Sequence, residues 1–188
     1  MNAAPRVRIL FDEATIARRN EEIARAVAGA ETRDLLVVAV LKGSFMFAAD
    51  LIRALHRAGL SPHVEFVHLS SYRAGTTSSG QVAILRDVES DVGGRDVLLV
   101  DDILESGRTL AFAKDLLMAR GAGRVLNAVL LEKPGKRAVN VKADFVGFTC
   151  PDVFVVGYGM DVAHAYRQLP FVGVVSHADS EPDLFGGT

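Results

Sequence analysis

VLLVDDILESGRTL, residues 97–110, opens with Val97, Leu98, Leu99 and Val100, the composition of a strand buried on both faces of a parallel sheet. Asp101 and Asp102 follow directly. A turn of Glu105, Ser106 and Gly107 comes next, and a helix is predicted to start near Thr109 and run on through AFAKDLLMAR. Ligands of open α/β sheets sit beyond the carboxyl ends of the strands, and the first turn of the next helix adds unpaired N–H groups and a positive dipole end. Strand, acidic pair, small-residue turn and helix start together make a place for an anion beside a metal or a sugar. Capping the helix alone needs one Asp, not two.

Outward from this run, strands and helices alternate. Ile16, Ile23, Ala24 and Val27 recur at helical spacing from Thr15 until Gly29 stops the pattern. Residues 34–41, DLLVVAVL, read as a second continuous apolar strand. Residues 44–58 read as a helix with Phe45, Ala48, Leu51, Ile52 and Leu55 inward, ended by Gly59. Residues 63–72 and 82–88 read as strands on either side of RAGTTSSG (73–80), whose composition predicts a mobile loop. Residues 92–95 make a turn at Gly93 and Gly94. Further strands are expected at 125–131, 145–148, 153–156 and 172–175, with a short extended lead-in before residue 10 and a loose tail after Ser176. This order predicts an α/β domain with a parallel sheet and right-handed crossovers. No repeat or linker divides the 188 residues, so one domain is expected.

Composition narrows the function classes. Hydrophobic content of 49% against 23% charged, with a mean hydropathy of +0.24, describes a packed globular chain. A net charge of −2, a pI near 6.2 and the lack of any Lys/Arg run argue against a nucleic-acid partner, which needs a basic face. The single Cys150 excludes an internal disulfide and suits a reducing cytoplasm. No signal-peptide core is visible, and no run approaches the ~20 apolar residues of a membrane span, so no membrane partner is expected. His56, His63, His68, His164 and His177 lack the Cys-supported spacing of a zinc site. Cys150 reads as a small buried residue, and Arg18 and Arg19 as a solvated helix face.

Residues 97–110 resemble the ribose-phosphate signature of the type I phosphoribosyltransferases. Three further stretches resemble the family's hypoxanthine/guanine branch: Leu41-Lys42-Gly43-Ser44 after a strand, Ser71-Tyr72 with the loop that follows, and Lys133 together with PDVFVVGYGMD (151–161). The resemblance implies the type I phosphoribosyltransferase fold, a central mostly parallel sheet flanked by helices. A small hood would come from the chain ends, about 1–20 and 145–180. It implies transfer of the 5-phosphoribosyl group from 5-phosphoribosyl 1-diphosphate to N9 of hypoxanthine or guanine, giving IMP or GMP and pyrophosphate in purine salvage. Mg²⁺ would be the cofactor, and a homodimer or homotetramer the assembly.

Residue by residue, the resemblance implies that Leu41, Lys42 and Gly43 form a pyrophosphate loop with a cis Leu41–Lys42 peptide. Ser71 and Tyr72 would open a lid that shields the sugar diphosphate from water. Asp101 and Asp102 would face the ribose hydroxyls and Mg²⁺, and Ser106, Gly107, Arg108 and Thr109 would cradle the 5′-phosphate. Carboxylates there stabilise the positive charge left on the ribose as its C1–O bond breaks. Lys133 would donate to the 6-oxo group of the base, Phe154 would stack on the purine, and Val155 would meet it through its backbone. Asp161 would lie near the base and a second Mg²⁺, and Arg167 would contact pyrophosphate. Glu105 stands where many members carry the Asp that handles the proton at purine N7; it is a carboxylate of similar pKa with one more methylene.

Each match has a plainer reading: a β–α turn with an exposed Lys42, a surface loop at 73–80, a core aromatic at Phe154. Two rival functions are a preference for xanthine and a nucleotide-sensing, RNA-binding regulator on the same fold.

Overall fold

The computed structural model, described over residues 6–71 and 82–176, has nine strands and three helices among those residues. In chain order they are β1 (Arg6–Phe11), α1 (Glu13–Gly29), β2 (Leu36–Leu41), α2 (Phe45–Arg57), β3 (His63–Ser71), β4 (Val82–Arg86), β5 (Asp96–Leu104), α3 (Arg108–Ala119), β6 (Arg124–Glu132), β7 (Phe145–Thr149), β8 (Val155–Val156) and β9 (Val172–Ser176). Six strands form one sheet in the order β4-β3-β2-β5-β6-β7, parallel except for the antiparallel edge strand β4. β5 and β2 lie at its centre. Strands buried on both faces carry apolar residues at every position, because both pleat directions face a core. Leu36, Val38, Val97, Leu99, Val125 and Val129 point to the α3 side, among Leu110, Ala113 and Leu117. Val37, Ala39, Leu98, Val100, Ala128 and Leu130 point the other way, among Ile23 and Val27 of α1 and Phe47, Leu51 and Leu55 of α2.

The chain ends meet in a second sheet, β1-β9-β8, antiparallel throughout. This small sheet is narrower than the expected hood. Phe145–Thr149 belongs to the main sheet beside β6, and α1 packs on α2 and β7. Arg19 departs from the solvated face expected of it: its guanidinium donates to the carbonyls of Val146 (2.7 Å) and Gly147 (2.8 Å), tying α1 to the exposed edge of β7. On α2 the fully buried side chains are Phe47, Ala48, Leu51, Ala54 and Leu55, while Phe45 and Ile52 are only half-buried. The buried positions fall on a single helical face turned away from Phe45 and Ile52, the face that α1 and the sheet cover.

Several boundaries also differ. The strand expected from residue 34 begins at Leu36, because Asp34 takes a left-handed turn (φ +45°) and pairs with Arg95. The strand expected at 153–156 shortens to Val155–Val156. The loop 73–80, Tyr72, the first residues of the lead-in and the tail after Ser176 lie outside the described residues. No described helix is long and apolar enough to cross a membrane.

Candidate active site

The central strand does not stop before its acids. β5 continues through Asp101 and Asp102 to Leu104, and side-chain alternation sends the two carboxylates to opposite faces. Asp101 follows Leu99 toward the α3 side and is buried; its Oδ1 accepts the Asp102 N–H at 2.9 Å. Burial pushes its pKa well above the ordinary carboxylate range, and the adjacent Asp102 charge pushes the same way. Asp102, half-buried, turns toward the β2–α2 loop, and its Oδ1 accepts the Ile103 N–H at 2.8 Å. A Cβ on Gly43 would overlap the Asp102 carboxylate, so any larger residue there would displace that carboxylate.

The loop itself has the cis Leu41–Lys42 peptide the resemblance implies, with Lys42 exposed. Ser44 precedes α2, its hydroxyl donating to Val40 O at 2.5 Å. A further glycine packs on the same loop: a Cβ on Gly159 would overlap Gly43 O, and Gly159 takes φ +99°. Arg167 holds that segment, donating to Gly159 O at 2.6 Å and pairing with Asp161 Oδ1 at 2.7 Å.

Beyond β5, Gly107 adopts a left-handed conformation (φ +80°) at the N-cap of α3. Residues 137–141 pack against it so closely that a Cβ would stand 2.5 Å from Val141 Cγ1. The Arg108 N–H points at Ser106 Oγ (3.4 Å), Ser106 O accepts the Ala138 N–H (2.9 Å), and Arg108 and Thr109 are half-buried in the first turn of α3. Amides of that turn face the same sheet end as the acids, the arrangement that binds phosphate at helix starts.

At the end of β6, Lys133 is buried, and its ammonium donates to Val153 O at 2.8 Å. Glu105 Oε1 lies 3.9 Å from Lys133 Nζ and 3.8 Å from Lys136 Nζ. Phe154, next along from Val153, is 60% exposed, which removes the core-aromatic reading: its ring is presented, not packed. Val155 is buried in β8 and pairs with Val174 of β9.

The structure thus brings Gly43, Asp102, Gly159, Arg167 and Asp161 into one set of contacts, and Glu105, Lys133 and the Val153–Phe154 loop into another. Both sit at the carboxyl ends of β2, β5 and β6. Ser71 ends β3, and Tyr72 lies outside the described residues. Asp161 stands apart from Asp101 and Asp102, as a place beside a second ion requires: among the described residues no three His, Cys, Asp or Glu side chains gather around one point. Asp161 binds Arg167 and accepts the His164 N–H at 2.8 Å. Asp102 by itself fits a Mg²⁺, which takes one or two carboxylates and completes its shell with substrate oxygens and water, whereas Asp101 lies on the other face of β5.

Sequence reading missed Lys136, Arg137 and Asp152. Lys136 pairs with Asp152 at 2.7 Å; Arg137 donates to Glu105 O at 3.1 Å and pairs with Glu132 at 2.7 Å. A signal was present in KPGKR, residues 133–137, where a Pro-Gly turn folds two more cations back toward the first.

Comparison with known proteins agrees with this architecture. The profile of the phosphoribosyl transferase domain matches residues 8–163. The chain is 41% identical over 172 residues to a hypoxanthine phosphoribosyltransferase of Escherichia coli, covering 90% of this chain and 95% of that one. It is 42% identical over 171 residues to a hypoxanthine-guanine phosphoribosyltransferase of Streptococcus agalactiae, covering 89% and 92%. Among solved structures, a hypoxanthine phosphoribosyltransferase from Staphylococcus aureus superposes with a TM-score of 0.84 at 37% identity, covering 89% of this chain and 90% of the other.

Proposed function

The chain belongs to the phosphoribosyltransferase family, in its hypoxanthine/guanine branch, and from that premise we propose how its residues carry out the reaction. It is a purine-salvage transferase that moves the 5-phosphoribosyl group from 5-phosphoribosyl 1-diphosphate to N9 of a 6-oxopurine and releases pyrophosphate. The observation that carries the assignment of roles is the meeting of Lys133, Glu105 and the exposed Phe154 ring beside the strand that bears Asp101 and Asp102.

Asp101 and Asp102 bind the ribose hydroxyls and stand near C1 as positive charge develops there. Ser106, Gly107, Arg108 and Thr109 take the 5′-phosphate at the start of α3. Lys42, the Gly43 amide and Arg167 hold the leaving pyrophosphate; Arg167 exchanges part of its bond to Asp161 for that contact. Lys133 donates to O6 of the base, which favours hypoxanthine and guanine over adenine because adenine presents an amino donor instead. Phe154 stacks on the ring, Val155 contacts it through its backbone, and Asp161 lies at the same edge. Glu105 accepts the proton at N7, reaching with one methylene more than Asp. Mg²⁺ would be held by Asp102, with a second ion beside Asp161, and would offset the negative charge of the diphosphate. Ser71 and Tyr72 begin the lid over the sugar. A homodimer or homotetramer completes the proposal, in a reducing cytoplasm that the lone, buried Cys150 suits.

The test is a product assay with 5-phosphoribosyl 1-diphosphate, Mg²⁺ and each of hypoxanthine, guanine, xanthine and adenine. Nucleotide and pyrophosphate are expected with hypoxanthine or guanine and not with adenine. A chain that prefers adenine contradicts the role given to Lys133; one that prefers xanthine, which keeps the 6-oxo acceptor, contradicts the hypoxanthine/guanine preference.

A further inference from the structure

Glu105 carries its carboxylate on a longer arm than Asp would, so one more rotatable bond must be fixed before the group can meet a base. Two ammonium groups flank it, and they are not equivalent. Lys133, 3.9 Å from Glu105 Oε1, is buried and donates to Val153 O. Lys136, 3.8 Å from the same oxygen, approaches from the far end of the turn Lys133-Pro134-Gly135-Lys136, where Gly135 takes φ +95°. Its ammonium is held at 2.7 Å by Asp152 Oδ1. Asp152 and Val153 are consecutive residues of the loop that presents Phe154. The two lysines therefore close a circuit between the end of β5 and the Phe154 loop, with Glu105 at one side and residues 152–153 at the other.

An exposed ion pair by itself contributes little, and both Lys136 and Glu105 are about half open to solvent. What distinguishes this pair is prior immobilisation. The bond to Asp152 fixes the Lys136 ammonium, and Asp152 also pushes its pKa up, so Glu105 meets a positioned charge.

We propose that Lys136, held by Asp152, is a positioning residue that fixes the Glu105 carboxylate for the transfer reaction. The proposal deepens the functional reading above and rests on it. Lys136 touches neither substrate nor reacting atoms in this role; it acts through Glu105.

The experiment measures kcat and KM for hypoxanthine and for 5-phosphoribosyl 1-diphosphate in the full chain. Lys136→Met is expected to lower kcat about threefold, the scale of one partly exposed charge contact, with KM for the ribose diphosphate unchanged. Lys136→Arg restores kcat because the cation is kept. In a Glu105→Asp background the carboxylate withdraws from Lys136, and the Lys136→Met change then has almost no effect on kcat. An unchanged kcat in Lys136→Met, a failure of Arg to restore it, or an equal loss in both backgrounds overturns the proposal while leaving the transferase reading intact. A wild-type chain inert towards every 6-oxopurine overturns both.

Discussion

The two ends of β5 treat the same residue in opposite ways. At its amino end, Asp96 Oδ2 accepts the Arg33 N–H at 2.8 Å and pairs with Arg124 at 2.7 Å. Burial raises its pKa, but the hydrogen bonds and charge of Arg124 and the Arg33 amide outweigh that and hold it below the usual carboxylate range. At the carboxyl end, Asp101 is buried beside a second carboxylate, and its pKa is pushed far up. One end is neutralised by the protein itself. The other is left for a ligand to complete, which is where function-bearing groups with perturbed pKa values gather.

Breaking the satisfied end has the larger effect on stability. Asp96→Ala leaves the Arg33 amide without its acceptor and Arg124 with only its carbonyl contacts to Ala30 and Glu31, and a loss of about 2 kcal/mol is expected, near 5 °C in melting temperature for a chain of this size. The sign with pH follows from the lowered pKa. The stabilisation from Asp96 is present above the unfolded carboxylate pKa and fades as pH falls through the lower folded value, so wild type and variant converge in acid. Thermal melts between pH 7 and pH 3 check this.

Phe154→Ala tests the open end without touching the core. The ring is exposed, so the melting temperature should hold, while KM for the base rises about tenfold as stacking is lost. Steady-state kinetics with varied hypoxanthine and a thermal melt on the same variant measure the two together.

Asp101→Asn is expected to shift the melting temperature less than Asp96→Ala does, and in the opposite direction. A raised folded pKa means the charged form is disfavoured in the fold, so a penalty grows as pH climbs from the unfolded toward the folded value. Asn removes that penalty and still accepts the Asp102 N–H. A gain of about 3 °C is expected at pH 7, shrinking toward pH 4, together with lost activity. A destabilised Asp101→Asn at neutral pH contradicts the contrast between the two strand ends.

Sequence patterning made the main sheet legible because β2 is apolar at every position and β5 is apolar from Val97 to Val100, a signal that needs no knowledge of their neighbours. The acidic pair, the glycine-bearing turn and Lys133 were legible for the same local reason. What local pattern does not carry is which side chain meets which across the chain. Arg19 reads as solvated until β7 is found beside it, and nothing local shows that Asp161 and Arg167 pair with each other. The circuit through Lys136 and Asp152 joins residues separated by a strand, and only the fold brings them together.

The most direct test of the account is the transfer rate of Asp101→Asn/Asp102→Asn, measured as pyrophosphate released with 5-phosphoribosyl 1-diphosphate, Mg²⁺ and hypoxanthine, alongside circular dichroism. The account predicts a loss of about 10³-fold or more with an unchanged spectrum. Turnover at the wild-type rate in that folded double variant would contradict it.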